Sequence, residues 1–228
     1  DGLAATALLV VANTGTTCAE FAGVAVGMEL FGVSRLVSVP IAATTVSLLV
    51  LRGSFHRVEH VLLVLSSVFI AYVVSGIASK PDWAAAGRGL VVPSSPLTRE
   101  ALVIATATIG TTLAPWGLSF IQSYAADKKL TVNDLKSERI DVVTGAVLTG
   151  VIGFFVVVAC AATLHDQGIR VHDAADAARA LEPLAGSLAS TLFAVGLVGA
   201  ALLAASILPL STAYSVSEFV GSESSVDD

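Results

Sequence analysis

The residues with the most chemistry in them lie between positions 107 and 123. There Pro115 interrupts an apolar run that extends from about 97 to 125, enough chain to cross a bilayer, which takes about 20 apolar residues. Proline has no N–H, and its ring collides with the carbonyl four residues earlier, here that of Thr111. Gly110 and Gly117 flank the proline and make a non-helical backbone cheap. The pattern predicts a discontinuous helix with free carbonyls and a half-helix end near mid-membrane. Such groups are tolerated in lipid only where protein buries them or a watery cavity receives them, and ions are held at breaks of this kind. The alternative is a proline kink whose freed carbonyls are re-satisfied by neighbouring hydroxyls such as those of Thr111 or Thr112.

A second polar pattern runs along the first apolar segment. Thr6, Asn13, Thr17, Glu20 and Gly27 are spaced by seven, four, three and seven residues, which places them on one helix face. A carboxylate well inside a membrane span is expensive and faces a bundle interior or a cavity. Glu20 therefore reads either as a stop for protons or cations, or as a protonated acid bonded across helices to Asn, Ser or Thr. Glu29 reads as interfacial. Asp141, at the start of the fifth segment, reads as an acid complementing a helix dipole.

The elements that must position these residues are apolar helices. The chain is 55% hydrophobic and 13% charged, with a net charge of −6 and a mean hydropathy of +0.85. That composition defines an all-α polytopic membrane protein, and the acidic balance offers no footprint for nucleic acid. Six spans are expected, at about 3–31, 37–51, 58–78, 97–125, 142–164 and 188–219, with no soluble domain between them. Pro40 is expected in the first turn of the second span, where proline costs little. Residues 80–99 read as a polar loop, and 174–181 as a short interfacial helix. In the last span Gly196, Ala200 and Ala204 form a small-residue row that reads as a packing face. Pro209 then releases the Ala205 carbonyl ahead of a hydroxyl-rich half-helix.

Orientation follows from the Lys/Arg bias of the loops. Arg52, Arg57, Lys128, Lys129, Lys136 and Arg139 fall on one side; Arg35, Lys80, Arg88, Arg99, Arg170 and Arg179 fall on the other. The first set is packed into shorter loops, so loops 52–57 and 127–139 are expected to be cytoplasmic. No signal peptide is evident. A start at Asp1, close to an apolar run, reads as a piece of a longer protein whose remainder is its partner.

Several chemistries are set aside. No His accompanies Ser119 at mid-span, so serine protease chemistry lacks its base, and no Walker-type loop is present. His56, His60, His165 and His172 lack metal-ligand spacing. Cys18 and Cys160 fall inside spans, where a small buried hydrophobe is the default. No enzyme activity and no cofactor are expected.

Read together, residues 19–32 (with Glu20, Gly23, Glu29 and Gly32), 110–116 and 181–184 resemble the Nramp family of divalent-metal transporters. The resemblance runs over nearly the whole chain and corresponds to the third through eighth helices of a LeuT-type inverted-repeat fold. It implies transport of a divalent cation through the cell membrane into the cytoplasm, with Thr111 offering its carbonyl to the metal. The family's first helix, which supplies the other half of the metal site, is not in this sequence. Departures are informative. Where the family reads Met-Pro-His, Ala114, Pro115 and Trp116 stand, and Thr17 replaces a frequent Asp three residues before Glu20. Loss of a soft thioether favours a hard, partly hydrated cation, and Trp116 cannot titrate. These changes resemble the Nramp-related magnesium transporters, and imply Mg²⁺ or Mn²⁺ as the carried ion, with weak or absent proton coupling. Asn13, Thr17, Glu20, Gly110, Pro115 and Trp116 are the expected path residues, with Thr111 and Ala114 at the metal. The alternatives are a proton-coupled Mn²⁺/Fe²⁺ carrier and a membrane scaffold or receptor in which the break is only a kink.

Overall fold

A computed structural model describes residues 2–51, 60, 64, 67–92, 97–127, 129–164, 168–169, 174–182 and 186–222. Within them the protein is helical throughout. Helices α1 (Gly2–Glu29) and α2 (Arg35–Leu51) are followed by a 3-10 turn (Ser67–Ile70), α3 (Ala71–Ala78) and α4 (Trp83–Val91). Next come α5 (Arg99–Thr112), α6 (Pro115–Asp127), α7 (Leu135–Thr163), α8 (Ala174–Arg179), a 3-10 turn (Gly186–Leu188) and α9 (Ala189–Val220). Helices prevail because lipid offers no partner to a backbone N–H or C=O, and a helix satisfies both within itself. The segments Gly2–Glu29, Arg99–Ser123, Leu135–Thr163 and Ala189–Val220 are long and apolar enough to cross a membrane. Arg35–Leu51 and Ser67–Ala78 are apolar but shorter; most of the expected third span before Ser67, and loop 52–57, lie outside the described residues.

The most extensive helix pairing joins α1 to α9, and its register can be read from contacts. Gly2 lies beside the Phe219 ring, Gly23 beside Ala201 and Leu197, and Gly27 beside Ala194 and Val198, while Asn13 reaches Thr212. Numbers fall on α9 as they rise on α1, so the two helices are antiparallel. The approach is closest at Gly27, where an added Cβ would lie 2.6 Å from Val198 Cγ2 and 3.3 Å from the Ala194 carbonyl oxygen. Close approach of this kind multiplies dispersion contacts, the main attraction between helices in lipid. The α9 face that meets α1 therefore runs through Ala194, Val198, Ala201 and Thr212. The row Gly196, Ala200 and Ala204 is not that seam: Gly196 is buried against Val68 and Phe69, and Ala200 and Ala204 are only half-buried.

Helix α2 closes one side of the pair, with Ala42 packed against Val24 and Ala201. It begins at Arg35, before the apolar run does, so Pro40 stands inside the helix and not in its first turn. At the other end, Tyr72, Ala159, Leu164, Ala178, Ala180, Leu181, Ala189 and Phe193 form a second core. There the Tyr72 hydroxyl donates to the Ala177 carbonyl (3.0 Å) and Ser75 Oγ to the Ala180 carbonyl (2.7 Å). Helix α8 and the turn after it thus pack on the bundle end through Ala178, Ala180 and Leu181.

Two boundaries differ from expectation for a common reason: apolarity marks the membrane, not the helix. Helix α7 begins at Leu135, with Asp134 at its N-cap and Glu138 in its first turn, so Asp141 lies about two turns inside. The Asp134 carboxylate instead closes the preceding turn, accepting from the Thr131 N–H (2.9 Å) and hydroxyl (2.7 Å). These bonds hold its carboxyl below the usual carboxylate range. Helix α4 lies within the expected polar loop, started by Asp82, whose carboxylate accepts from the N–H groups of Ala84 and Ala85. An N-cap aspartate before an alanine run is its sequence signal.

The seam makes a direct prediction. Gly27→Ala should destabilise the protein by about 1–3 kcal/mol, because the added methyl meets a branched side chain and backbone. Gly15→Ala, on the same helix with nothing within 4 Å of its added Cβ, should be neutral or stabilising by up to about 1 kcal/mol. Thermal unfolding of both variants in one detergent distinguishes the two positions.

Candidate functional site: an interrupted helix beside a polar seam

Helix α5 begins at a Thr98 cap, whose side chain accepts from the Ala101 N–H, and ends at Thr112. Helix α6 begins at Pro115, leaving Leu113 and Ala114 in neither; Leu113 has φ −100° and ψ 54°. Proline suits the first position of a helix, where its missing N–H is no loss. The same missing N–H denies a donor to the Thr111 carbonyl. The neighbouring hydroxyls do not replace it: Thr111 Oγ1 (3.0 Å) and Thr112 Oγ1 (2.8 Å) both donate to the Thr108 carbonyl, one turn back. Among the described residues nothing else donates to Thr111 O. The Ala114 carbonyl accepts from the Gly117 N–H at 3.1 Å. The Thr111 carbonyl is therefore without a donor at the interruption, with the Ala114 methyl group two residues beyond the helix end.

The depth of this interruption follows from its neighbours. Helix α6 packs against α9 and α1, and Phe120 meets Tyr214 edge-on, ring centroids 5.4 Å apart. The C-terminal end of α7 shares a core with the N-terminal end of α9, so α7 begins near the far end of α9. The α6 C-terminus, a short turn from that beginning, lies there too, and α6 runs parallel to α9. Counting back from Phe120 and Tyr214 puts Pro115 opposite Pro209. The α1–α9 register puts the Asn13–Thr17 turn at that same level. The structure thus brings the interruption, Pro209, Asn13 and Thr17 to one depth, with Glu20 one turn further along α1. Gly110 and Thr111 stand apart from this packing, since α5 has no buried residue. Trp116 is half-buried in the first turn of α6.

The seam carries a defined polar contact. Asn13 is 2% exposed, and its Nδ2 donates to Thr212 Oγ1 at 2.6 Å. Thr212 spends its own proton on the Leu208 carbonyl (2.7 Å), so it can only accept from Asn13. That fixes the amide orientation and leaves Asn13 Oδ1 buried with no partner among the described residues. Thr17 Oγ1 donates to the Asn13 carbonyl at 2.8 Å. Thr212 was legible only as one of several hydroxyls after Pro209; its pairing needs the antiparallel register. Ser123, buried on α6, had no sequence signal beyond its place in an apolar run.

The described residues thus form apolar helices, one apolar stretch being interrupted before Pro115 beside the polar α1–α9 seam. The chain belongs to the Nramp family: the model of natural resistance-associated macrophage protein-like sequences matches residues 2–228. A divalent metal cation transporter MntH of Yersinia enterocolitica is 30% identical over 194 residues, covering 82% of this chain and 47% of that protein. MntH of Klebsiella pneumoniae is 33% identical over 197 residues with the same shares, 82% and 47%. The chain spans about half the length of the curated relatives it matches.

Thr212→Val should cost about 1–3 kcal/mol, since it strands the buried Asn13 amide without an acceptor. Adding Asn13→Leu should recover part of that loss, a coupling that a double-mutant cycle on thermal unfolding measures directly.

Proposed function

We propose that this chain is part of a secondary transporter that moves Mg²⁺ or Mn²⁺ across the cell membrane into the cytoplasm by alternating access, with weak or absent proton coupling. The observation that carries the reading is the bare Thr111 carbonyl beside Ala114, at the depth of the Asn13–Glu20 stripe. Backbone oxygen is a hard ligand, and Mg²⁺ keeps several of its waters. A methyl group at position 114 offers no soft sulfur and leaves room for those waters. Family membership and the names of the MntH relatives support a divalent cation as substrate. On this reading the chain contributes six spans of a LeuT-type inverted repeat, with loops 52–57 and 127–139 on the cytoplasmic side. Thr111 supplies a ligand, Ala114 shapes the cavity, and Gly110 and Pro115 hold the break open. Trp116 lines the path at a position where a histidine would titrate.

The second reading is a proton-coupled Mn²⁺/Fe²⁺ carrier, with which the retained Glu20 is compatible. The full-length protein in proteoliposomes with an internal pH dye separates the two. Mg²⁺ entry without acidification, shifting toward Mn²⁺ in Ala114→Met, is the expected result. Mn²⁺ uptake with acidification and no Mg²⁺ entry contradicts it, and absence of uptake of either ion leaves a scaffold.

A further inference from the structure

Pro209 stands inside α9, and its missing N–H deprives the Ala205 carbonyl of its helical donor. Ala205 is fully buried (0% exposed), so water or lipid cannot make good the loss at its side. A buried carbonyl without a donor is costly, and the cost persists unless a neighbour supplies a proton. On α9 itself the nearby hydroxyls are committed: Ser206 Oγ to the Leu202 carbonyl, Ser211 Oγ and Thr212 Oγ1 to that of Leu208. On α2 the buried residues nearest in register, Ala42 and Val46, are apolar.

The facing helix is α1. Its contacts with α9 at Gly2, Asn13, Gly23 and Gly27 place Ala205 opposite the Ala19–Glu20 step. Of the two, Glu20 shares the α1 face that carries Asn13 and Gly27, and helix side chains lean toward the N-terminus of their own helix, which here is toward Ala205. The two hydroxyls next to it are already spent, Thr16 on the Ala12 carbonyl and Thr17 on that of Asn13. Glu20 is half-buried. The other titratable groups of the packed helices lie elsewhere: Glu29, Arg35 and Glu218 are near helix ends, Cys18 is exposed on another face of α1, and Tyr214 is more than two turns from Ala205. Helix α6 carries its one acid, Asp127, at its last position.

We propose that Glu20, as the neutral carboxylic acid, donates to the Ala205 carbonyl and closes the backbone gap that Pro209 opens in α9. Glu20 is then a positioning residue that ties α1 to α9. The inference stands apart from the transport reading, because stability reads it directly.

The test is thermal unfolding of the full-length protein in nanodiscs, across four variants. Glu20→Ala should lower Tm by about 3–6 °C. Glu20→Gln, whose amide still donates, should stay within about 1 °C of the parent. Pro209→Ala restores an N–H to α9 and gives the Ala205 carbonyl its helical partner. It should therefore recover most of the loss when combined with Glu20→Ala. The proposal is overturned if Glu20→Gln falls as far as Glu20→Ala, if Glu20→Ala has no effect, or if Pro209→Ala fails to rescue it.

Discussion

The close antiparallel approach of α1 and α9 is the constraint on which the rest depends. Two helices in lipid gain little from hiding apolar surface, because the lipid is as apolar as they are. They associate where small residues let backbones come near, as Gly23 and Gly27 do against Ala201 and Ala194. Once those contacts are made, the register of the whole seam is set, because each residue advances a helix by about 1.5 Å. Asn13 must then meet Thr212, and the polar stripe of α1 must face the half of α9 that Pro209 disturbs. A shift of one turn would part Asn13 from Thr212.

Helix α6 inherits its depth from this seam. It is held through Phe120 on Tyr214, a large edge-on ring contact that permits little sliding, and its first residue is Pro115. Two prolines in different helices thus reach one level and each frees a carbonyl, at Thr111 and at Ala205. The two carbonyls differ in surroundings. Ala205 is sealed between helices, whereas Thr111 is exposed at the end of a helix with no buried residue. The first calls for a fixed donor, and the second is the oxygen proposed above as a ligand. On the two proposals above, the same backbone defect serves once for assembly and once for binding.

Much of the architecture was legible because membrane helices are written in composition. The runs that became α1, α5–α6, α7 and α9 are long and apolar, and the stripe Asn13–Thr17–Glu20 follows helical spacing whatever packs against it. Helix starts were harder. Asp134, not Asp141, stands before the first residue of α7, since the polar residues Lys136 to Arg139 extend the helix beyond the apolar run. Helix α4 was hidden in a loop for the same reason. The row Gly196, Ala200 and Ala204 was legible as a packing face, and Gly196 does pack closely, against Val68 and Phe69, but small residues do not by themselves specify a partner. The partner was chosen by Gly23 and Gly27 on the opposite helix. No reading of α9 alone contains that information, nor the pairing of Asn13 with Thr212.

The central claim is that the interruption before Pro115 opens to water and receives a cation there. Ala114→Cys in the full-length protein, with Cys18 and Cys160 replaced by alanine, tests it most directly. Modification by a membrane-impermeant, water-soluble thiol reagent should proceed, and Mg²⁺ or Mn²⁺ should slow it in proportion to occupancy. A thiol that resists the reagent yet reacts with a lipid-soluble maleimide would contradict the account. It would make the interruption a kink packed in lipid.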